Sequence, residues 1–156
     1  MLSSEEIRSI ALNLGADKCR IASIDRFSSA PSGFLPTDVY SKCKSVVVFL
    51  KRLPSDVIIA ENPVPYSHTA YLLYSALDQI GLNLCSHLEQ QNIHTVPVPT
   101  DVPYLYWDAE NKHGMGIISL RHAAFREISC PQHARGWDIY TCNECRKVCP
   151  WRTGKK

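Results

Sequence analysis

The chain has 156 residues, of which 45% are hydrophobic and 21% charged, a composition typical of an ordinary globular protein with one main domain. Its net charge of +2 is divided unevenly: residues 1–120 hold 9 Lys/Arg and 12 Asp/Glu, whereas residues 121–156 hold 8 and 3. No apolar run is long enough to span a bilayer, and the acidic N-terminus MLSSEEIRS is unlike a secretion signal. We therefore expect a cytoplasmic protein with no membrane partner.

The first 50 residues predict one helix and two strands. Ser3 and Glu6 form a capping box ahead of apolar residues at helical spacing, which predicts a helix over 4–14. The β-branched stretch 18–24 and the apolar run SVVVFL at 45–50 are typical of buried strands.

The next segments predict a second, longer helix and a short strand. A Pro-rich breaker at 62–65 precedes apolar residues that keep helical spacing over 70–88. Residues 93–98 predict a strand, confined to a sheet edge by the prolines there. Residues 103–116, aromatic first and polar afterwards, suit a loop over the core or over a ligand. This order of elements predicts an α/β (α+β) fold.

The seven cysteines are of two kinds. Three of them fall within eight positions near the C-terminus, which favours thiolate ligation in a reducing compartment over a disulfide framework. Cys19, Cys43 and Cys85 each stand alone beside apolar residues, and for these we predict core packing.

The crowded cysteines form an iron–sulfur ligand pattern. Cys142, Cys145 and Cys149 are followed by Pro150 and have the spacing CxxCxxxCP, which lets thiolates from a tight loop converge on one cluster. Cys130 is the fourth thiolate nearby. A zinc site is the first alternative, although no second CxxC or histidine pair is visible. Free or redox-active thiols are the second alternative.

The segment GWDIYTCNECRKVCPW, residues 136–151, resembles the second cluster motif of the epoxyqueuosine reductase family. ALNLGADKCRIASI, SVVVFL, VPVPTDVPY and GIISLRHAAF resemble, in order, parts of that family's N-terminal domain. The resemblance implies an α/β domain over 1–120 and a small ferredoxin-like, iron–sulfur binding segment over 121–156. It also implies reduction of a tRNA nucleoside, with electrons from a donor protein or reductant passing through [4Fe–4S] clusters, and a bound cobalamin.

The chain departs from the family pattern because the first cluster motif, CxxCxxCxxxCP, is missing. The remaining set of Cys130, Cys142, Cys145 and Cys149 is sufficient in number for one [4Fe–4S] cluster. The segment 121–156 that contains these cysteines is basic. Its positive charge is compatible with an anionic cluster and also with a polyanion such as RNA, so the charge does not distinguish between the two.

Arg121 and His122 lie in the family-like segment, at a predicted helix start near the cysteines. Such residues can contact an anionic cofactor or substrate, and a purely structural role is the alternative. No catalytic residue is identified, and the acids Asp101 and Asp108 match no family motif. We predict an iron–sulfur oxidoreductase or electron-transfer protein. The alternatives are a non-catalytic metal-binding module, with zinc or a cluster, and a truncated relative without activity.

Overall fold

The computed structural model describes residues 2–28, 30, 32–110 and 113–118, which form a mixed α+β fold with small antiparallel sheets. The fold class predicted for the N-terminal part is confirmed at this level. The helices are α1 (Ser4–Asn13), α2 (Pro36–Val39), α3 (Ser55–Ile59) and α4 (Val64–Glu89), with a 3-10 helix at Ile24–Phe27; the strands are β1 (Lys18–Ser23), β2 (Ser45–Leu50), β3 (Tyr106–Asp108) and β4 (His113–Met115).

Helix α1 begins at the predicted capping box. The Ser3 hydroxyl accepts a hydrogen bond from the Glu6 backbone N–H at 3.3 Å, and Glu6 Oε2 accepts one from the Ser3 backbone N–H at 2.7 Å. These bonds satisfy backbone donors that a helix start leaves unpaired. The helix ends one residue before the predicted boundary, and Gly15 then takes a φ of +106°, a conformation that L side chains rarely adopt.

Strands β1 and β2 pair antiparallel over their full length, from Lys18 opposite Leu50 to Ser23 opposite Ser45. Both strands were predicted, and β1 ends one residue earlier than expected. Because side chains alternate between the two faces of a strand, the pair presents two separate apolar faces.

The first face of this sheet packs against α1 and α4. Ala11 of α1, Cys19 of β1, and Leu84 and Leu88 of α4 are buried together, and Phe49 packs against them from β2. This cluster joins the N-terminal helix, the sheet and the long helix into one core, because each contributes apolar area that leaves water.

The second face carries a smaller cluster. Ala22 and Val48 are buried there with Phe27 of the 3-10 helix. Val46 and Ile118 pack against the edge of the cluster. Ile118 is the last described residue, so the chain returns to the sheet at the point where residues 119–156 begin.

Helix α4 is confirmed where a long helix was predicted, but its burial is uneven. Its buried side chains, Ile80, Leu84 and Leu88, all lie in the C-terminal half. None of the described side chains of the N-terminal half is buried, and Tyr71 and Leu72 there are exposed. The continuous apolar face predicted from 70 onwards is therefore packed only in part.

Two predictions for the segment after α4 are wrong. Residues 93–98 form no strand; the backbone N–H of Ile93 bonds instead to the Leu88 carbonyl at the end of α4, and Pro97 lacks the N–H that a ladder needs. The predicted loop over 103–116 contains the hairpin β3–β4, in which Tyr106 lies opposite Met115.

The ferredoxin-like segment predicted over 121–156, and the domain boundary at residue 120, lie outside the described residues. In the part of the chain that the structure describes, no helix is long and apolar enough to cross a membrane.

Candidate functional site

The predicted site residues all belong to a part of the sequence whose structure is not described here. They comprise the proposed metal ligands and the proposed cofactor contacts, namely Cys130, Cys142, Cys145, Cys149, Arg121 and His122. The structure therefore bears on the site through the other cysteines and through the surfaces that the described domain presents.

The described cysteines lie on different elements and differ in burial. Cys19 is only 4% exposed in the core cluster, as predicted. Burial raises the pKa of its thiol, and the charges of Arg8 and Arg20 oppose this effect only in part. Cys85 on α4 is half-buried, so its side chain is less buried than the predicted core packing requires.

Cys43 is also half-buried, and its thiol donates a hydrogen bond to the Ser45 carbonyl at 3.4 Å. Burial raises the pKa of this thiol, and a hydrogen bond from the backbone of Ser45 to the thiolate opposes this effect only in part. A raised pKa disfavours the thiolate, which is the form that binds metals. Within the described ranges, no three His, Cys, Asp or Glu side chains are grouped to hold a metal ion.

A cleft of about 410 Å³ lies between α4 and the turn that precedes the β3–β4 hairpin. Asp78 of α4 fixes this turn, since its Oδ1 accepts a hydrogen bond from the Thr100 backbone N–H at 2.8 Å. The walls of the cleft come from one stripe of the helix and from two residues of the turn: Tyr71, Tyr74, Ser75, Asp78, Gln79, Leu82, Asp101 and Val102.

The cleft is aromatic and acidic. The rings of Tyr71 and Tyr74 meet edge to face, with centroids 6.3 Å apart and planes at 89°. Asp78 and Asp101 are the charged residues among the described residues of the lining, which include no Lys or Arg. Carboxylates beside tyrosine rings suit a cationic group, which gains both Coulomb and cation–π attraction there.

The chain was compared with models of protein families, with curated proteins and with solved structures, and nothing matches. The resemblance to epoxyqueuosine reductases therefore stays a prediction.

The acids singled out from the sequence have different surroundings. Asp101 is exposed at the rim of the cleft, whereas Asp108 at the end of β3 accepts a hydrogen bond from the Glu110 backbone N–H at 3.1 Å. The structure does not bring the two carboxylates together in the cleft, because only Asp101 lines it.

The sequence does not predict the cleft, because Tyr74 falls among the residues at helical spacing over 70–88 and looks like part of the apolar face of the long helix. Tyr71, Tyr74 and Asp78 follow one another at three- and four-residue spacing, which places them on one stripe of an α-helix. That spacing was available as a signal. The hydrogen bond from Thr100 to Asp78 joins residues 22 positions apart, and no local pattern reports such a contact.

Proposed function

We propose that this chain binds one [4Fe–4S] cluster through Cys130, Cys142, Cys145 and Cys149, and that it acts in electron transfer or as a reductase. The observation that carries this proposal is the spacing CxxCxxxCP over residues 142–150. Cys130 supplies the fourth thiolate from the same C-terminal part of the chain.

The residue types around the motif fit the chemistry of a cluster. Two residues between Cys142 and Cys145 allow both sulfurs to face one centre, and Pro150 prevents a helix from continuing through the motif. A cubane ligated by four thiolates is anionic, so the excess of 8 Lys/Arg over 3 Asp/Glu in residues 121–156 compensates its charge.

The described domain supports this assignment of the cysteines. Burial disfavours the thiolate of Cys19, and the Cys43 thiol is engaged with a backbone carbonyl. Cys85 is half-buried on α4. These three thiols suit packing better than ligation, which leaves the four C-terminal cysteines as the ligand set.

The resemblance extends the proposal to a substrate class. It implies reduction of an epoxyqueuosine-like nucleoside in tRNA, with electrons from a donor protein or reductant. It also implies a cobalamin. Arg121 and His122 are the proposed contacts of an anionic cofactor or substrate. The cleft beside Asp101 has about 410 Å³, towards the lower end of the range for small-ligand pockets, and we place no corrinoid in it.

The test is spectroscopy of the full chain after anaerobic reconstitution with iron and sulfide. The expected result is a brown protein whose visible absorbance bleaches on reduction and which then gives the electron paramagnetic resonance signal of a reduced cluster. The matched variants are Cys142→Ser, which removes a proposed ligand, and Cys43→Ser, which does not. A colourless wild-type protein, or equal spectra from both variants, would contradict the proposal.

A further inference from the structure

The cleft between α4 and the turn before the β3–β4 hairpin lies apart from both core clusters. None of its described lining residues belongs to either cluster, so the packing of the described core does not account for them. The volume of the cleft, about 410 Å³, is within the range of sites that hold small molecules. The cleft is therefore a candidate binding site in its own right.

The apolar part of the lining can hold the body of a ligand. Leu82 contributes to it from α4 and Val102 from the turn, and both side chains are exposed. The rings of Tyr71 and Tyr74 are perpendicular to each other and thus give the cleft two aromatic surfaces of different orientation. The face of an aromatic ring attracts a cation, because the ring quadrupole is negative there. These walls favour a ligand that is partly apolar and carries a positive charge.

The carboxylates of the lining provide hydrogen-bond acceptors for such a charge. Asp78 Oδ1 accepts the Thr100 backbone N–H at 2.8 Å, and the second oxygen of the carboxylate is a further acceptor. Asp101 directly follows Thr100, so the same hydrogen bond holds the backbone of Asp101 beside α4. An ammonium or guanidinium group has only donors and a positive charge, and it complements two carboxylates in both respects.

The charge of the surrounding chain acts in the same direction. Residues 53–111, which include α4 and the turn, contain seven Asp/Glu and no Lys/Arg. Residues 1–52 contain eight Lys/Arg, so the lack of basic residues is local to the stretch that builds the cleft. A surface of one sign raises the local concentration of ligands of the opposite sign. An anionic ligand would find no basic side chain in this stretch.

We propose that the cleft binds a small organic cation, composed of an ammonium or guanidinium group on an apolar body. The cationic group pairs with Asp78 and Asp101, and the apolar body packs against the Tyr71 ring and Val102. The site uses none of the cysteines proposed to hold a cluster. It can therefore be tested separately from cluster binding.

The first test compares three probes of similar shape on the full chain. They are 2-phenylethylamine, a cation at neutral pH, 2-phenylethanol, its neutral counterpart, and 3-phenylpropionate, an anion. In an NMR titration the amine should bind saturably and shift the resonances of Tyr71, Asp78 and Asp101. The alcohol should bind about fivefold more weakly, and the anion should not saturate.

Three results of this titration would overturn the proposal. They are equal affinities for the amine and the alcohol, no saturable binding of the amine, and shifts confined to residues outside the cleft. None of these results depends on a variant, so a folding defect cannot explain them.

A pair of neutralising substitutions tests the role of charge. Asp101→Asn removes a carboxylate of the cleft and keeps the hydrogen bond between Thr100 and Asp78, so it should weaken binding of 2-phenylethylamine about fivefold. Glu89→Gln makes the same change at an exposed residue at the end of α4, 11 residues or about 16 Å from Asp78 along the helix, and should leave the affinity unchanged. Equal affinities in the two variants would contradict the pairing with Asp101.

A pair of substitutions at Tyr71 tests the role of the ring. Tyr71 is 68% exposed, so its replacement should leave the fold intact, which circular dichroism checks. Tyr71→Leu keeps an apolar side chain without an aromatic face and should weaken binding of 2-phenylethylamine about threefold. Tyr71→Phe keeps the aromatic face and should lose less affinity than Tyr71→Leu. A loss in Tyr71→Phe as large as that in Tyr71→Leu would show that the ring face does not hold the cation.

Discussion

Asp78, in the middle of α4, accepts a hydrogen bond at 2.8 Å from the backbone N–H of Thr100, and this contact holds the turn after the helix against the helix itself. The cleft exists because of it, since Asp101 and Val102 follow Thr100 directly.

Removing the acceptor should release the turn. In Asp78→Ala we expect the Thr100 amide to exchange its hydrogen about fivefold faster, the factor that ~1 kcal/mol of hydrogen bond corresponds to. Asp78→Asn keeps a carbonyl oxygen at the same position and should retain most of the protection. Hydrogen exchange read by NMR at Thr100 checks both variants; equal exchange in wild type and Asp78→Ala would show that the contact does not hold the turn.

The core cluster predicts an unequal response of two leucines. Leu84 of α4 is 4% exposed and lies in the core cluster with Cys19 of β1. Leu84→Ala should therefore lower the free energy of unfolding by about 2–5 kcal/mol. Leu12 on α1 is 41% exposed, and Leu12→Ala should change the free energy of unfolding by less than about 0.5 kcal/mol. Urea unfolding followed by circular dichroism measures the difference. Similar losses would mean that α4 does not pack on the sheet as described.

The cysteines should separate into two classes. Cys19→Ala should cost about 1 kcal/mol of stability, because it empties part of the core, and should leave the iron content unchanged. The double variant Cys142→Ser and Cys145→Ser should lose the iron while the circular dichroism of the helical core persists. Iron near zero in Cys19→Ala would overturn this division.

The capping box predicts how Glu6 titrates. The Ser3 backbone N–H, and then the Ser3 hydroxyl, hold the pKa of Glu6 below its ordinary value of 4.5. Because the folded pKa is the lower one, the capping interaction stabilises the fold above pH 4.5 and is lost as the pH falls through the folded pKa.

Removing the Ser3 hydroxyl tests how much each hydrogen bond lowers the pKa of Glu6. Ser3→Ala removes the weaker of the two hydrogen bonds to the carboxylate, so the pKa of Glu6 should rise but stay below 4.5. An NMR titration of the Glu6 side chain measures it. An unchanged pKa in Ser3→Ala would show that the hydroxyl takes no part.

The elements that the sequence predicted correctly are those whose signals are local. Ser3 and Glu6 lie three residues apart, and their capping box fixes the start of α1. The run at 45–50 is continuous and β-branched, and it forms β2. Such signals need no knowledge of the rest of the fold.

The predictions that were wrong depended on distant partners. Residues 93–98 had strand-like composition, but Ile93 bonds to the last turn of α4 and Pro97 cannot donate. The hairpin that pairs Tyr106 with Met115 was missed because three-residue strands leave too short a pattern to read. The cleft depends on a contact between α4 and Thr100, which no periodicity reveals.

Metal and acid-labile sulfide analysis of the full chain purified without oxygen tests cluster binding most directly. We expect about four iron and about four sulfide per chain, because Cys130, Cys142, Cys145 and Cys149 are the proposed ligands of one cubane. About one zinc per chain with no sulfide, or neither metal nor sulfide, would contradict it.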